Sequence, residues 1–245
     1  MVIDSAANSL HYLQGPDFHI EGGNDLAHEI KSRRDQNLNK ASCSDADNLG
    51  RVDTSPVSIM TTFPELSTPR MRLVIPGPEF AEATIAFYVK NKDHLLQWEP
   101  RRDDKFYTIE YWREELLKAR LNVTRDQAYL FYLISEKTGD LIGTINLNSI
   151  TRAAFQNGRL GYKIDADHEG QGFMREGMAE VIRFAFEDKD LRRLEANVIP
   201  QNVRSLGLLK RLGFTEIGRD EYYLMINGIE SPHILTSLVK RNWKK

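Results

Sequence analysis

The chain has 245 residues, 41% of them hydrophobic, and its 33 basic and 35 acidic side chains leave a net charge of -2. That is enough for one domain with a full core, and the charge balance gives no basic footprint of the kind nucleic-acid binders show. The single cysteine, Cys43, excludes an intramolecular disulfide, and no apolar run approaches the ~18 residues of a membrane span, so a cytoplasmic protein is expected.

Residues 1–60 are polar, rich in Gly, Ser, Asn and Asp, and carry nine acidic against five basic side chains. Such a segment buries too little apolar surface to offset its ordering entropy, which predicts a disordered extension with a short helix around Asp25 to Arg34. The opening MVIDSAANSLHYL has no basic stretch followed by an apolar one, so it does not read as a secretory leader. The run from Met60 reads as the start of a compact domain over 61–245, with the upstream part an alternative or over-extended translation start.

From Arg70 the order is regular. Arg70 to Ile75 predicts a strand ended by Pro76-Gly77-Pro78, and Glu79 to Lys90 and Ile109 to Leu121 predict helices. Ala128 to Ser135 and Leu141 to Asn148 predict a hairpin around Gly139, and Arg159 to Asp165 a further strand. Behind it, Met174, Met178, Val181, Ile182 and Ala185 form the apolar stripe of an amphipathic helix. Leu194 to Val198 alternates as a strand, Asn202 to Leu212 predicts a helix stopped by Gly213, and two more strands run to about Val239. The pattern is an α/β domain.

Two glycines one residue apart, Gly170 and Gly172, stand between a strand and a helix. The unpaired N–H groups of that helix entrance, together with its dipole, suit a phosphate or pyrophosphate. Taken alone, such a pair reads as a tight turn without a ligand, because neither the Rossmann spacing nor a P-loop lysine is present. Thirty-odd residues on stands NVIPQNVRSLGLLKRLGF, in which Asn202-x-x-Ser205 opens a helix that closes on Leu212-Gly213-Phe214.

With both motifs in this order, the chain resembles the GNAT superfamily of acetyl-CoA-dependent N-acetyltransferases over roughly residues 62–240. It is most similar to the RimJ/RimL branch of protein N-terminal acetyltransferases, and closer to RimJ. The residues carrying the likeness are Leu66-x-Thr68-x-Arg70-Met71-x-Leu73, Trp98-Glu99-Pro100, Leu160-Gly161-Tyr162 and Tyr223-Leu224-x-Ile226-Asn227-Gly228. The resemblance implies a mixed, mostly antiparallel sheet that splays between its fourth and fifth strands, flanked by helices.

It also implies acetyl-CoA as cosubstrate. The pyrophosphate falls to the loop Glu169, Gly170, Gln171, Gly172, Phe173 and Met174, and the thioester oxygen to backbone N–H groups near Ile164. Asn202 caps its helix or bonds the pantetheine amide, and Ser205 protonates the leaving thiolate unless it is an ordinary first-turn serine. Glu169 stands where the family has Gln or Arg, and Met174 where it has Gly or Ala; a carboxylate beside a pyrophosphate is unfavourable, so Glu169 is expected to face solvent or the helix amides. Leu209 replaces a tyrosine acid found in many relatives, and Leu224 matches the position of the glutamate base of RimL-type enzymes.

Trp98 and Tyr162 are candidates to shape the acceptor groove, Glu99 and Glu195 to hold the amine or relay its proton, and Tyr222 to assist; each has an ordinary packing or solvated reading as well. His168 beside the loop reads as a solvated histidine. No H-E-x-x-H or comparable spacing occurs, so no metal is expected. The leading reading is acetylation of the N-terminal α-amine of a protein, of the ribosomal-protein alanine type. The alternatives are a small amine (aminoglycoside, polyamine, amino acid or aminoacyl antibiotic) and a catalytically weak acetyl-CoA-binding regulatory protein. A monomer or homodimer without membrane or direct nucleic-acid contacts is expected, and the basic end Val239 to Lys245 reads as a solvated tail.

Overall fold

The computed structural model describes residues 62–243. The extension over residues 1–60, its short helix and the reading of Met60 lie outside the described residues, as do the last two lysines of the tail.

Eight strands form one sheet in the order β1-β2-β3-β4-β5-β6-β8-β7. They are β1 (Glu65–Ser67), β2 (Met71–Val74), β3 (Tyr129–Ser135), β4 (Leu141–Thr151), β5 (Asn157–Ile164), β6 (Arg193–Glu195), β7 (Thr215–Ile226) and β8 (Ile229–Val239). The helices are α1 (Ala81–Lys90), α2 (Lys92–Leu96), α3 (Ile109–Thr124), α4 (Phe173–Arg183) and α5 (Val203–Arg211). Every neighbouring pair is antiparallel except β5 with β6.

Because β3 is covered on both sides, its sequence YLFYLIS is apolar almost throughout instead of alternating. Tyr129, Phe131 and Leu133 face one core, with Met71, Ile145, Leu160 and the buried stripe of α4. Tyr132 and Ile134 face the other, under the aromatic faces of α1 and α3. Passing from β3 to β5, that second face turns polar: Thr144, Asn146, Asn148 and Lys163 are all buried. The β3–β4 hairpin closes as expected, with Gly139 at φ 76° donating its N–H to Ser135 O.

Two elements have no counterpart in the sequence reading, β1 and α2. At three and five residues they are too short for the pattern that reveals a strand or a helix to repeat twice. The expected strand Leu194 to Val198 is corrected to Arg193–Glu195, after which the chain leaves the ladder and rejoins the sheet by a single bridge, Val198 to Ile234. The helix after the glycines continues past Arg183 as a π-helical turn, Phe184–Asp188, keeping Phe184, Ala185 and Phe186 buried.

Candidate active site

The parallel pairing of β5 with β6 lasts three residue pairs, Asn157 with Arg193 to Arg159 with Glu195. Among the described residues no strand pairs with that edge of β5 beyond Arg159, and the gap opens into a cleft of about 980 Å³ between β5, the glycine loop and α5. The expected splay is therefore present, and backbone topology makes it.

On one wall lies the loop Asp165 to Gly172. Gly170 and Gly172 take φ of 70° and 84°, the left-handed region that favours glycine. Gly172 is the N-cap of α4 and supplies no side chain. The first intrahelical bond is Glu176 N to Gly172 O at 3.0 Å, so the N–H groups of Phe173, Met174 and Arg175 precede the ladder. Arg70 fixes this turn from behind: its Nη1 donates to Gln171 O at 3.0 Å, its Nε to Glu176 Oε2 at 2.7 Å, and its guanidinium lies over the Phe173 ring. Sequence reasoning saw Arg70 only as part of a family signature. The Gln171 side chain turns back to Asp167 O at 2.6 Å.

The carboxylates of the loop are all neutralised by other elements. Lys90 of α1 reaches Asp165 at 2.6 Å and Asp167 at 2.8 Å. Burial opposes ionisation of Asp165, but the Lys90 bond and the Asp167 N–H hold its carboxyl below the usual range. The Glu169 carboxylate is ion-paired with Arg204 of α5 and lies 3.5 Å from His94 Nε2 of α2. Among the described residues lining the cleft, Glu169 is the one carboxylate, against Lys163, Arg175, Arg204 and Arg211. An anion with several phosphates meets its charge complement there.

On the other wall, Asn202 caps α5 by accepting from Ser205 N at 3.1 Å. Ser205 is buried and lines the cleft together with Tyr162, whose phenol burial pushes above the ordinary tyrosine range. That Tyr162 and Ser205 line the same cleft was not legible in the sequence, since the two belong to different motifs.

Trp98, Tyr162, Ile164, Glu169, Gly170, Gly172, Met174, Asn202 and Ser205 thus come together around one cleft. Gln171 and Phe173 brace it from behind, with the Phe173 ring against His168 at 5.5 Å. Three candidates stand elsewhere. Glu99 is buried against Lys163 and Arg102, Glu195 lies 3.9 Å from Arg159 on the ladder, and Tyr222 is 73% exposed on β7. Leu209 is buried in the core beneath α5. Among the described residues no group of three or more His, Cys, Asp or Glu side chains could hold a metal ion, and no helix is long and apolar enough to cross a membrane.

Residues 70–215 match the family model of the acetyltransferase (GNAT) domain. The ribosomal protein uS5-alanine N-acetyltransferase of Escherichia coli is 32% identical over 157 residues, 64% of this chain and 81% of that protein. Among solved structures, a ribosomal-protein-S5-alanine acetyltransferase from Vibrio fischeri is 31% identical with a TM-score of 0.70, covering 75% of this chain and 100% of that one. Mycobacterium smegmatis RimJ, solved with CoA-disulfide, gives a TM-score of 0.67 at 22% identity, over 71% of this chain and 84% of that one.

Proposed function

Since the chain belongs to the GNAT acetyltransferase family and is an N-acetyltransferase, we propose that it takes acetyl-CoA as donor and the N-terminal α-amine of a protein, of the ribosomal-protein alanine type, as acceptor. The cleft supports the donor half. The N–H groups of Gly170 to Met174 would hold the pyrophosphate, as anions are held at helix N-termini, and the surplus of cations around them suits its charge. Asn202 would orient the pantetheine arm, and Trp98 would cover the cleft where it meets the second face of the sheet.

Acetyl-CoA supplies an activated acyl carbon and a thiolate leaving group. Backbone N–H near Ile164 would stabilise the oxygen on which negative charge develops. As the N–C bond forms and the C–S bond breaks, the nitrogen sheds a proton and the departing sulfur takes one; Ser205, which lines the cleft, is the donor at hand. Holding the two reactants in register contributes much of the remaining acceleration.

The observation that carries the choice of acceptor is that, among the described residues lining the cleft, the one carboxylate, Glu169, is tied to Arg204. An α-amine titrates near about 7.7 to 8.0 and a lysine near about 10.4, so at neutral pH roughly a tenth of the former but under about a thousandth of the latter is already nucleophilic. A site without a strong base suits the α-amine. The cationic lining also disfavours polyamines and aminoglycosides. The names of the relatives point the same way.

The deciding experiment is thiol release from acetyl-CoA in two parallel panels: peptides with free Ala, Ser, Thr or Met N-termini, and small amines. Turnover confined to peptides and lost on blocking their α-amine is expected. Turnover on small amines alone would replace the acceptor class, and tight acetyl-CoA binding without any turnover would favour a regulatory role.

A further inference from the structure

Glu169 stands directly before Gly170, so a carboxylate sits at the entrance of the anion cradle. A negative charge there opposes a phosphate, and its placement calls for an explanation. The backbone beside it is open to a ligand: a Cβ on Gly170 would meet nothing within 4 Å.

The carboxylate joins three elements. Its Oε2 is ion-paired with Arg204 Nη1, from the first turn of α5 on the far wall, and its Oε1 lies 3.5 Å from His94 Nε2 of α2. The two partners take different oxygens, so the loss of one leaves the other in place. The Arg204 side chain is 79% exposed and that of Glu169 28%. An ion pair so open to water contributes little to stability and exchanges readily. What it does fix is position, since it brings a guanidinium from α5 across to the glycine loop. Arg211, which also lines the cleft, lies back along α5 instead, its Nη1 3.4 Å from where a Cβ on Gly207 would stand.

We propose that Arg204 is a ligand of the donor's pyrophosphate and that Glu169 is its resident competitor, holding the guanidinium at the cradle until the diphosphate takes it over. A guanidinium forms its strongest pairs with carboxylates and phosphates, and a diphosphate offers more charge and more acceptor oxygens than one carboxylate. The exchange breaks the Arg204–Glu169 pair, makes an Arg204–phosphate pair and leaves Glu169 with His94; no covalent bond changes. Breaking the first pair lowers the affinity for the donor, and its return helps CoA to leave. At the phosphate end of the cleft, Glu169 takes no part in the acyl step. The inference rests on the acetyl-CoA reading above.

The test is calorimetric titration of the full chain with acetyl-CoA and with acetyl-dephospho-CoA, which lacks the 3′-phosphate and keeps the pyrophosphate, at about 20 and about 500 mM salt. Glu169→Gln should tighten acetyl-CoA about three- to tenfold at the lower salt and by less at the higher, where the competing charge is screened. Arg204→Gln should weaken it about tenfold, and Arg204→Lys, which keeps the charge but not the planar fork, by less. Both the Glu169 and the Arg204 effects should persist with acetyl-dephospho-CoA. Weaker binding in Glu169→Gln would mean that the carboxylate orients Arg204 or braces the loop, and overturns the competitor, as does a tightening equal at both salts. Unchanged binding in Arg204→Gln removes the arginine from the site, and loss of its effect with acetyl-dephospho-CoA moves it to the 3′-phosphate; either result overturns the proposal. A wild-type chain that binds no acetyl-CoA defeats the donor reading itself, whereas equal binding by wild type and both variants defeats this inference alone.

Discussion

At the scale of the residue, Gly172 and Ser205 carry the sharpest expectations. Gly172 combines a φ of 84° with an N-cap position, and a Cβ there would stand 3.4 Å from Arg70 Nη2. Gly172→Glu should weaken acetyl-CoA binding at least about tenfold in calorimetry, by placing a carboxylate at the phosphate cradle, while costing only about 1 kcal/mol of stability. Ser205→Ala should leave that affinity nearly intact and lower the maximal rate by about ten- to a hundredfold; Tyr162→Phe should act in the same direction, and an unchanged rate in both would remove the pair from the chemistry. The two motifs were legible because each is local: a turn needing positive φ before a helix, and a cap three residues ahead of its serine. Arg70 was not, because it braces a carbonyl 101 residues away, and no local pattern encodes that. The partners of the Glu169 carboxylate were not legible for a similar reason, as Arg204 and His94 come from other elements.

At the scale of the element, α4 links the core to the cleft. Its stripe rests on the sheet so closely that a Cβ on Gly177 would lie 3.1 Å from Ile145 Cδ1 and 3.3 Å from Leu133 Cδ2. Gly177→Leu should therefore overpack the interface, costing about 1–3 kcal/mol in a denaturant titration, and should weaken cofactor binding too, because the helix that shifts is the one whose N-terminus faces the cleft. The stripe, the β3–β4 hairpin and the helix opened by Asn202 could be read from periodicity and turn chemistry alone. The segments β1 and α2 could not, since each is set by what it packs against: β1 by pairing with β2, and α2 by Leu95 entering the second core.

At the scale of the whole molecule, the buried ionisable groups set the acid limit of stability. His233 is fully buried on β8 with its Nδ1 3.0 Å from Ser231 O, and burial pulls its pKa down. Its contribution is present above the unfolded value of about 6.5 and is lost as pH falls through the lower folded value. Asp126, Asp165 and Glu176 are held low by Tyr129 and Arg152, by Lys90, and by Thr68 and Arg70, each against the opposing effect of burial. Their contributions are present above about pH 4 to 4.5 and vanish below it. The melting temperature should fall first below about pH 6.5 and more steeply below about pH 4, each proton adding at most about 1.4 kcal/mol per pH unit; His233→Gln should abolish the first decline. The arrangement of the sheet was legible only through the family resemblance, since alternation in Leu194 to Val198 foretells a strand but not that its pairing stops after three residues.

That short pairing has a mechanical consequence. In the plane of the sheet, β1 to β5 form one plate and β6, β8 and β7 another, stitched along a seam three pairs long with a notch beyond it. A load that pries the plates apart concentrates at the end of the seam, and whatever seats in the notch works as a gusset across it. Filling the cleft and stiffening the sheet are then one event.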